Sequence, residues 1–478
     1  MNEAQATELS YLRAVDALAL MQARKLSPVE LLHAVILRAE AVNPSINAFT
    51  DAYFDEAFAT AKASEARYQT AEPLALDGLP LVVKDAQRVK GQRSTQGSLT
   101  RMQHVDDVSD PMIERLLAAG AVLHARTTTP EFCLSGMCHS KAWGVTRNPF
   151  HLGMTPGGSS GGSAAALAAG ASLLATGTDI GGSVRIPAAC CGIVGYKPPH
   201  GRNPDGPPAN FDLYNHAGTM ARSVADVALM QNIVSGAHPL DHWSLREKIT
   251  LPLMPSSIKG LRIAYSFDLG FMEVDAQVIR EMRKALEIFR GLGAILEEVS
   301  VPWDASIEEA AVHYYCSMQY GRDVVRAARD NPKLLTPYAL HFAKFAENHT
   351  SLDDMAASFA KIHEMQSWFG PLMESHDLFI CPTNAIPAVS AVHNPTNPEF
   401  YVNDKKVDPE NGWIMTYPFN MLHYTPALSV PSGRADNGVP TGIQLIGRSF
   451  DDVTVFEAGL AYEQAASGLF INANHHPL

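Results

Sequence analysis

Residues 156–187 read PGGSSGGSAAALAAGASLLATGTDIGGSVRIP and hold two Gly-rich, Ser-bearing turns. The first is Gly157-Gly158-Ser159-Ser160-Gly161-Gly162-Ser163; the second is Asp179-Ile180-Gly181-Gly182-Ser183-Val184-Arg185. Ala and Leu favour helix, so the Ala-rich run between them predicts one, with Gly170 in the left-handed position past its end. A short apolar segment, 172–176, follows. The first turn therefore opens a helix and the second follows a strand. Both places leave backbone N–H groups unpaired, which suits an anion or an oxyanion.

Three local readings compete. The plainest is a tight helix–strand corner with Gly for room and Ser as caps. A phosphate cradle is the second, but no Lys follows the glycines as a P-loop requires. The third is a nucleophile elbow, since Gly158-Ser159-Ser160-Gly161-Gly162 satisfies G-x-S-x-G. An elbow needs an apolar strand immediately before it. The preceding Asn148-Pro149-Phe150-His151-Leu152-Gly153-Met154-Thr155-Pro156 reads as loop, so this reading is rejected.

A lysine upstream changes the balance. Gly78-Leu79-Pro80-Leu81-Val82-Val83-Lys84-Asp85 reads as an apolar strand with Lys84 at its end. Such a lysine commonly snorkels to the surface; beside two Gly-Ser turns it is a candidate buried base. On these residues the sequence resembles the amidase signature family, serine amidohydrolases with a Ser–cis-Ser–Lys triad. The GGSSGGS and TDIGGSVRIPA segments carry the resemblance, with their serines 24 residues apart. It implies Ser183 as nucleophile, Ser159 as bridging serine on a cis peptide after Gly158, and Lys84 as base. It implies backbone N–H groups of Ile180, Gly181, Gly182 and Ser183 for the oxyanion, and Ser160, Asp179 and Arg185 as supports. It places Cys133 near the substrate, where a buried packing thiol is the equal alternative. The implied fold is α/β: a central mixed, twisted β-sheet covered by helices on both faces. The implied organisation is one amidase domain over 1–478. Within it lie N-terminal helices (1–75), a catalytic core (76–200) and a variable, substrate-facing helical and loop region (302–415).

Whole-chain properties are those of an ordinary globular protein with material for a large core. The 478 residues are 46% hydrophobic and 18% charged, with a formal net charge of −13. An acidic chain argues against nucleic acid or an anionic membrane as partner. No stretch approaches the roughly 20 apolar residues of a membrane span, and MNEAQATELS is too polar for a signal peptide. The six cysteines, at 133, 138, 190, 191, 316 and 381, form no C-x-x-C pair, so they read as free thiols in a reducing cytoplasm. No H-E-x-x-H or spaced Cys/His set suggests a metal, and no cofactor is expected.

Elsewhere, Ser27 as N-cap, Pro28 and Glu30 predict a helix start with a capping box, and Asn43-Pro44 its end. His124, in the strand 121–125, alternates with apolar neighbours and reads as a satisfied core histidine. Residues 418–433 read as strand-like. The variable region carries Tyr314, Tyr315, Met318, Tyr320, Trp368, Phe369, Trp413 and Phe419, which are core or pocket residues. Three positions depart from the family pattern: Ala86 and Thr128 where Asn is common, and Arg126 where Lys is common. They bear on substrate class and not on reaction type. The expected activity is hydrolysis of a small apolar or aryl amide, or of a carbamate or ester, through a Ser183 acyl-enzyme. The expected partners are that substrate and water, in a chain compatible with a homodimer. The alternatives are a glutamine-hydrolysing subunit of an amidotransferase complex and a nucleotide binder.

Overall fold

Eleven strands form one continuous mixed sheet in the computed structural model, which describes residues 1–478 apart from the side chain of Gln319. In chain order they are β1 (Phe49–Ala52), β2 (Pro80–Lys84), β3 (Val122–Thr127), β4 (Leu174–Asp179), β5 (Val194–Lys197) and β6 (His216–Ala221). Then come β7 (Arg262–Tyr265), β8 (Ile295–Glu298), β9 (Leu378–Pro382), β10 (Ala427–Arg434) and β11 (Pro440–Gly447). Their spatial order is β1-β3-β2-β4-β6-β5-β10-β11-β9-β7-β8. β2 runs parallel to both β3 and β4, whereas β4, β6, β5, β10, β11 and β9 pair antiparallel in succession.

Strand alternation sorts side chains onto two helical layers. Leu81 and Val83 of β2 join a core with helices Ala14–Gln22, Pro111–Ala118 and Val224–Val234. Val82 points the other way, to helix Gly161–Ala168. Lys84 shares the parity of Val82, so the alternation sends its side chain toward the start of that helix. Because β2 and β4 are parallel neighbours inside the sheet, Lys84 and Asp179 both stand at C-terminal strand ends on the same side of it. The 302–376 region is helical as expected and shares a second core with the sheet, around Trp303, Phe369, Phe379 and Phe419.

Four local expectations change. Helix Pro28–Ile46 runs through Pro44, and Asn47, left-handed at φ 51°, makes the stop instead. Ser27 Oγ accepts from Val29 N and Glu30 N but donates to Glu65, so no capping box with Glu30 closes. Residues Pro418–Met421 form a helical turn, and the strand begins only at Ala427. His124 is fully buried, yet neither ring nitrogen has a hydrogen-bond partner; it packs against Phe49 and Phe54, and burial lowers its pKa to about 3. No helix among the described residues is long and apolar enough to cross a membrane.

Candidate active site

Lys84 is completely buried, with Nζ 2.7 Å from Ser159 Oγ and 2.8 Å from Thr178 Oγ1. Burial lowers its pKa below the ordinary lysine value, while Cys133, Cys138 and Asp179 act in the opposite sense. Desolvation disfavours the ammonium form, so the environment favours an amine with a free lone pair. Arg126, the departure from the family pattern one strand away, donates to the carbonyls of Val83 and Lys84 and fixes the backbone behind this amine.

The first Gly-Ser turn passes very close to a neighbouring loop. A Cβ on Gly158 would lie 2.3 Å from Met137 O and 2.6 Å from Ser135 O, so only glycine fits there. The Gly158–Ser159 peptide is cis. Ser160 N donates to Ser183 O at 3.1 Å and Ser160 Oγ to Thr178 O at 3.5 Å, which ties the first turn to the second.

The second turn is wound around a carboxylate. Asp179 accepts from Gly182 N at 2.9 Å and Val184 N at 3.2 Å, and from Arg185 Nε and Nη2 at 3.0 and 2.9 Å. Burial alone would raise its pKa, but Arg185, then Asn420, overcome that and hold it well below the usual carboxylate range. Arg185 continues to Gln444 Oε1 at 2.8 Å and Asn420 Oδ1 at 2.6 Å. Gly182 has φ +122°, and a Cβ there would strike Thr416 Oγ1 at 1.9 Å. Thr416 Oγ1 in turn donates to Gly181 O at 2.6 Å, and Tyr315 Oη donates to Ile180 O at 3.3 Å.

This arrangement corrects one expectation. The Gly182 N–H is bonded to Asp179, so it shapes the turn and is not free for an oxyanion. Among the described residues, the N–H groups of Ile180, Gly181 and Ser183 have no bonded acceptor.

Two cavities meet at the turn. One, of about 540 Å³, is walled by Ser183, Gly181, Tyr315, Phe342 and Phe345, with Glu308, Asp408 and Glu410 on its polar side. The other, of about 770 Å³, reaches Ser159 and Thr178. Cys133, Ile180 and Tyr320 line both. Cys133, with Sγ 3.3 Å from Thr129 Oγ1, thus stands at the junction. Burial raises the pKa of Glu410 to about 7, against the hydrogen bonds from Gly136 N and Ser135 Oγ.

The structure therefore brings together Lys84, Ser159, Ser160, Asp179, Ser183 and Arg185. Of the eight aromatic and Met residues singled out from the sequence, Tyr315, Met318 and Tyr320 reach the cavities; Tyr338, Phe342 and Phe345, not singled out, line one as well. Tyr314, Phe369, Trp413 and Phe419 are core, and Trp368 packs against Trp303. Sequence reasoning missed Thr178, Thr416, Asn420 and Gln444. Thr178 lies inside the TDIGGS segment itself, but the other three lie far along the chain with no local pattern around them.

Comparison with known proteins gives the family and the fold. The Amidase family profile matches residues 30–456. The chain belongs to the amidase family. It is 34% identical over 469 residues to an acylamidase of Rhodococcus erythropolis, covering 95% of each chain. It is 31% identical over 475 residues to a glutamyl-tRNA(Gln) amidotransferase subunit of Geobacter metallireducens, covering 94% of this chain and 96% of that one. The crystal structure of a bacterial aryl acylamidase of the amidase signature family superposes with a TM-score of 0.90 at 28% identity, covering 98% and 99% of the two chains. The fold is thus that of the amidase signature enzymes, and the protein is a carbon–nitrogen hydrolase.

Proposed function

We propose that this amidase hydrolyses a small linear amide with an apolar or aryl group through an acyl-enzyme on Ser183. The observation that carries the reading is the buried, desolvated Lys84 amine 2.7 Å from Ser159 Oγ, beside a second turn in which the N–H groups of Ile180, Gly181 and Ser183 have no bonded acceptor among the described residues. Neutral Lys84 takes the Ser159 proton as Ser159 takes that of Ser183. Ser183 Oγ then attacks the amide carbonyl carbon. The N–H groups of Ile180, Gly181 and Ser183 receive the oxyanion, each such donor being worth about 3 kcal/mol. The proton held by Lys84 returns through Ser159 to the leaving nitrogen, the C–N bond breaks and the amine departs. Water then attacks the acyl carbonyl, its proton following the same relay, and the acid leaves Ser183.

The apolar walls supplied by Leu134, Ile186, Val312, Phe342 and Phe345 support an apolar or aryl group, and carbamates and esters share the required carbonyl. The acylamidase and aryl acylamidase relatives point the same way. Turnover of acetanilide-like, aliphatic and carbamate substrates by the isolated chain tests the reading. Preference for an acetanilide supports it; exclusive use of free glutamine overturns it. That second outcome would favour the alternative suggested by the 31% identical amidotransferase relative, hydrolysis of glutamine amide within a multiprotein complex.

A further inference from the structure

Ser183 and Ser159 open onto different cavities. Ser183 and Gly181 open onto the 540 Å³ cavity; Ser159 and Thr178 open onto the 770 Å³ cavity. If Ser159 protonates the leaving nitrogen, that nitrogen must lie on the Ser159 side, and the amine portion of the substrate extends into the larger cavity. This assignment rests on the catalytic reading above.

The larger cavity holds an arginine without a carboxylate partner among the described residues. Arg88 and Arg101 both line it. Arg88 is held by Asp110 at 2.7 Å. Arg101 has a buried Nε with no hydrogen-bond partner, and among the described residues no carboxylate forms an ion pair with its guanidinium. The carboxylates nearest to it in charge are Asp106, Asp85 and Asp323. Asp106 accepts from Ser94 Oγ and Val89 N, Asp85 from the Thr95 and Gly97 amides, and Asp323 pairs with Arg326. The other acids of the cavity are likewise engaged: Asp205 by Gly206 N and Asn215, and Asp212 by Tyr214 N and Tyr314 Oη. Gln87, only 2% exposed, also lines this cavity with an unpartnered Oε1. Rotating its amide would present the NH2 instead, at the loss of a 3.7 Å contact to Met112 Sδ.

A partly buried guanidinium facing a cavity is half of a charge-assisted pair, and its planar donors match a carboxylate. We infer that the 770 Å³ cavity is the leaving-amine subsite and that Arg101 anchors a carboxylate carried by that amine. The preferred substrate class is then an N-acylated amino acid or aminobenzoate. Arg101 acts at a distance from the reacting atoms and sets specificity.

Three substrates with matched size test this: 4-acetamidobenzoate, its neutral toluidide counterpart, and an anilide with the carboxylate on the acyl side. Wild-type kcat/KM should favour 4-acetamidobenzoate over the toluidide by about tenfold or more, and over the acyl-side acid. In Arg101→Met that ratio should collapse to about 1, in Arg101→Lys it should fall only in part, and in Arg101→Glu it should invert. Wild-type inhibition by 4-aminobenzoate, stronger than by 4-aminobenzamide, gives the same answer should a variant fold poorly. Equal use of charged and neutral amines, a ratio untouched in Arg101→Met, or preference for the acyl-side acid overturns the inference. Turnover surviving in Ser183→Ala would instead refute the catalytic reading, so the two failures are distinguishable.

Discussion

Replacing Lys84 with Met turns its protonation state into a stability measurement. Burial depresses the Lys84 pKa in the folded protein, whereas in the unfolded chain it lies near the ordinary value of about 10.4. Between the folded and unfolded values the unfolded chain binds more protons, so wild-type stability rises with pH. The lysine's cost is complete below its folded pKa and fades as pH approaches the unfolded value. For one proton the slope is about 1.4 kcal/mol per pH unit. Met removes the titration. It also removes contacts to Ser159 and Thr178, roughly 1 kcal/mol each, but that offset does not depend on pH. The stability difference between variant and wild type should therefore move in favour of wild type as pH rises from 8 to 10, with a limiting slope of about 1.4 kcal/mol per pH unit. Urea denaturation of both proteins across that range reads it directly. A difference that stays flat would mean that Lys84 keeps its proton in the fold and is a fixed charge, not a base.

Other perturbations separate the parts of the site. Wild-type activity should fall as pH drops through the depressed Lys84 pKa, and Lys84→Ala should cost several orders of magnitude in kcat; Lys84→Arg should not restore it, because guanidinium stays protonated. Ser159→Ala should cost less than Lys84→Ala if water can replace the relay, which steady-state kinetics on one amide will rank. Tyr315→Phe removes the hydrogen bond to Ile180 O and so loosens the peptide carrying the Gly181 N–H; kcat should drop about fivefold, the equivalent of one neutral hydrogen bond, with KM little changed. Asp179→Asn leaves buried Arg185 without its carboxylate and should destabilise the fold by about 3–5 kcal/mol in chemical denaturation. Because the Asp179 pKa is depressed, its contribution is present above the unfolded carboxylate value and is lost as pH falls through the folded one.

The centre of the site was legible because its chemistry is local in sequence. Two Gly-Ser turns flank one short helix and strand, and Lys84 ends an apolar run, so residue type and spacing carried the reading. The alternation of Val82 and Lys84 even states which face the amine takes. What surrounds that centre was not legible. Thr416 and Asn420 meet Asp179 and Arg185 from the loop and helical turn before β10, and Gln444 from β11, and no periodicity encodes such contacts. The bonding of Gly182 N–H to Asp179 depends on how the turn winds, which Gly-Gly leaves undetermined. Pro44 inside a helix shows the same limit, since tertiary packing outweighed the local stop signal. In the variable region, aromatic content alone could not separate Tyr315, which reaches the cavity, from its neighbour Tyr314, which bonds to buried Asp212.

The most direct test of Ser183 as nucleophile is covalent labelling. The intact protein would be reacted with a fluorophosphonate and the modified peptide mapped by mass spectrometry. A single adduct on Ser183 is expected, formed faster as pH rises through the Lys84 pKa and absent in Ser183→Ala. An adduct on Ser159 or Ser160, or labelling that persists in Ser183→Ala, would contradict it.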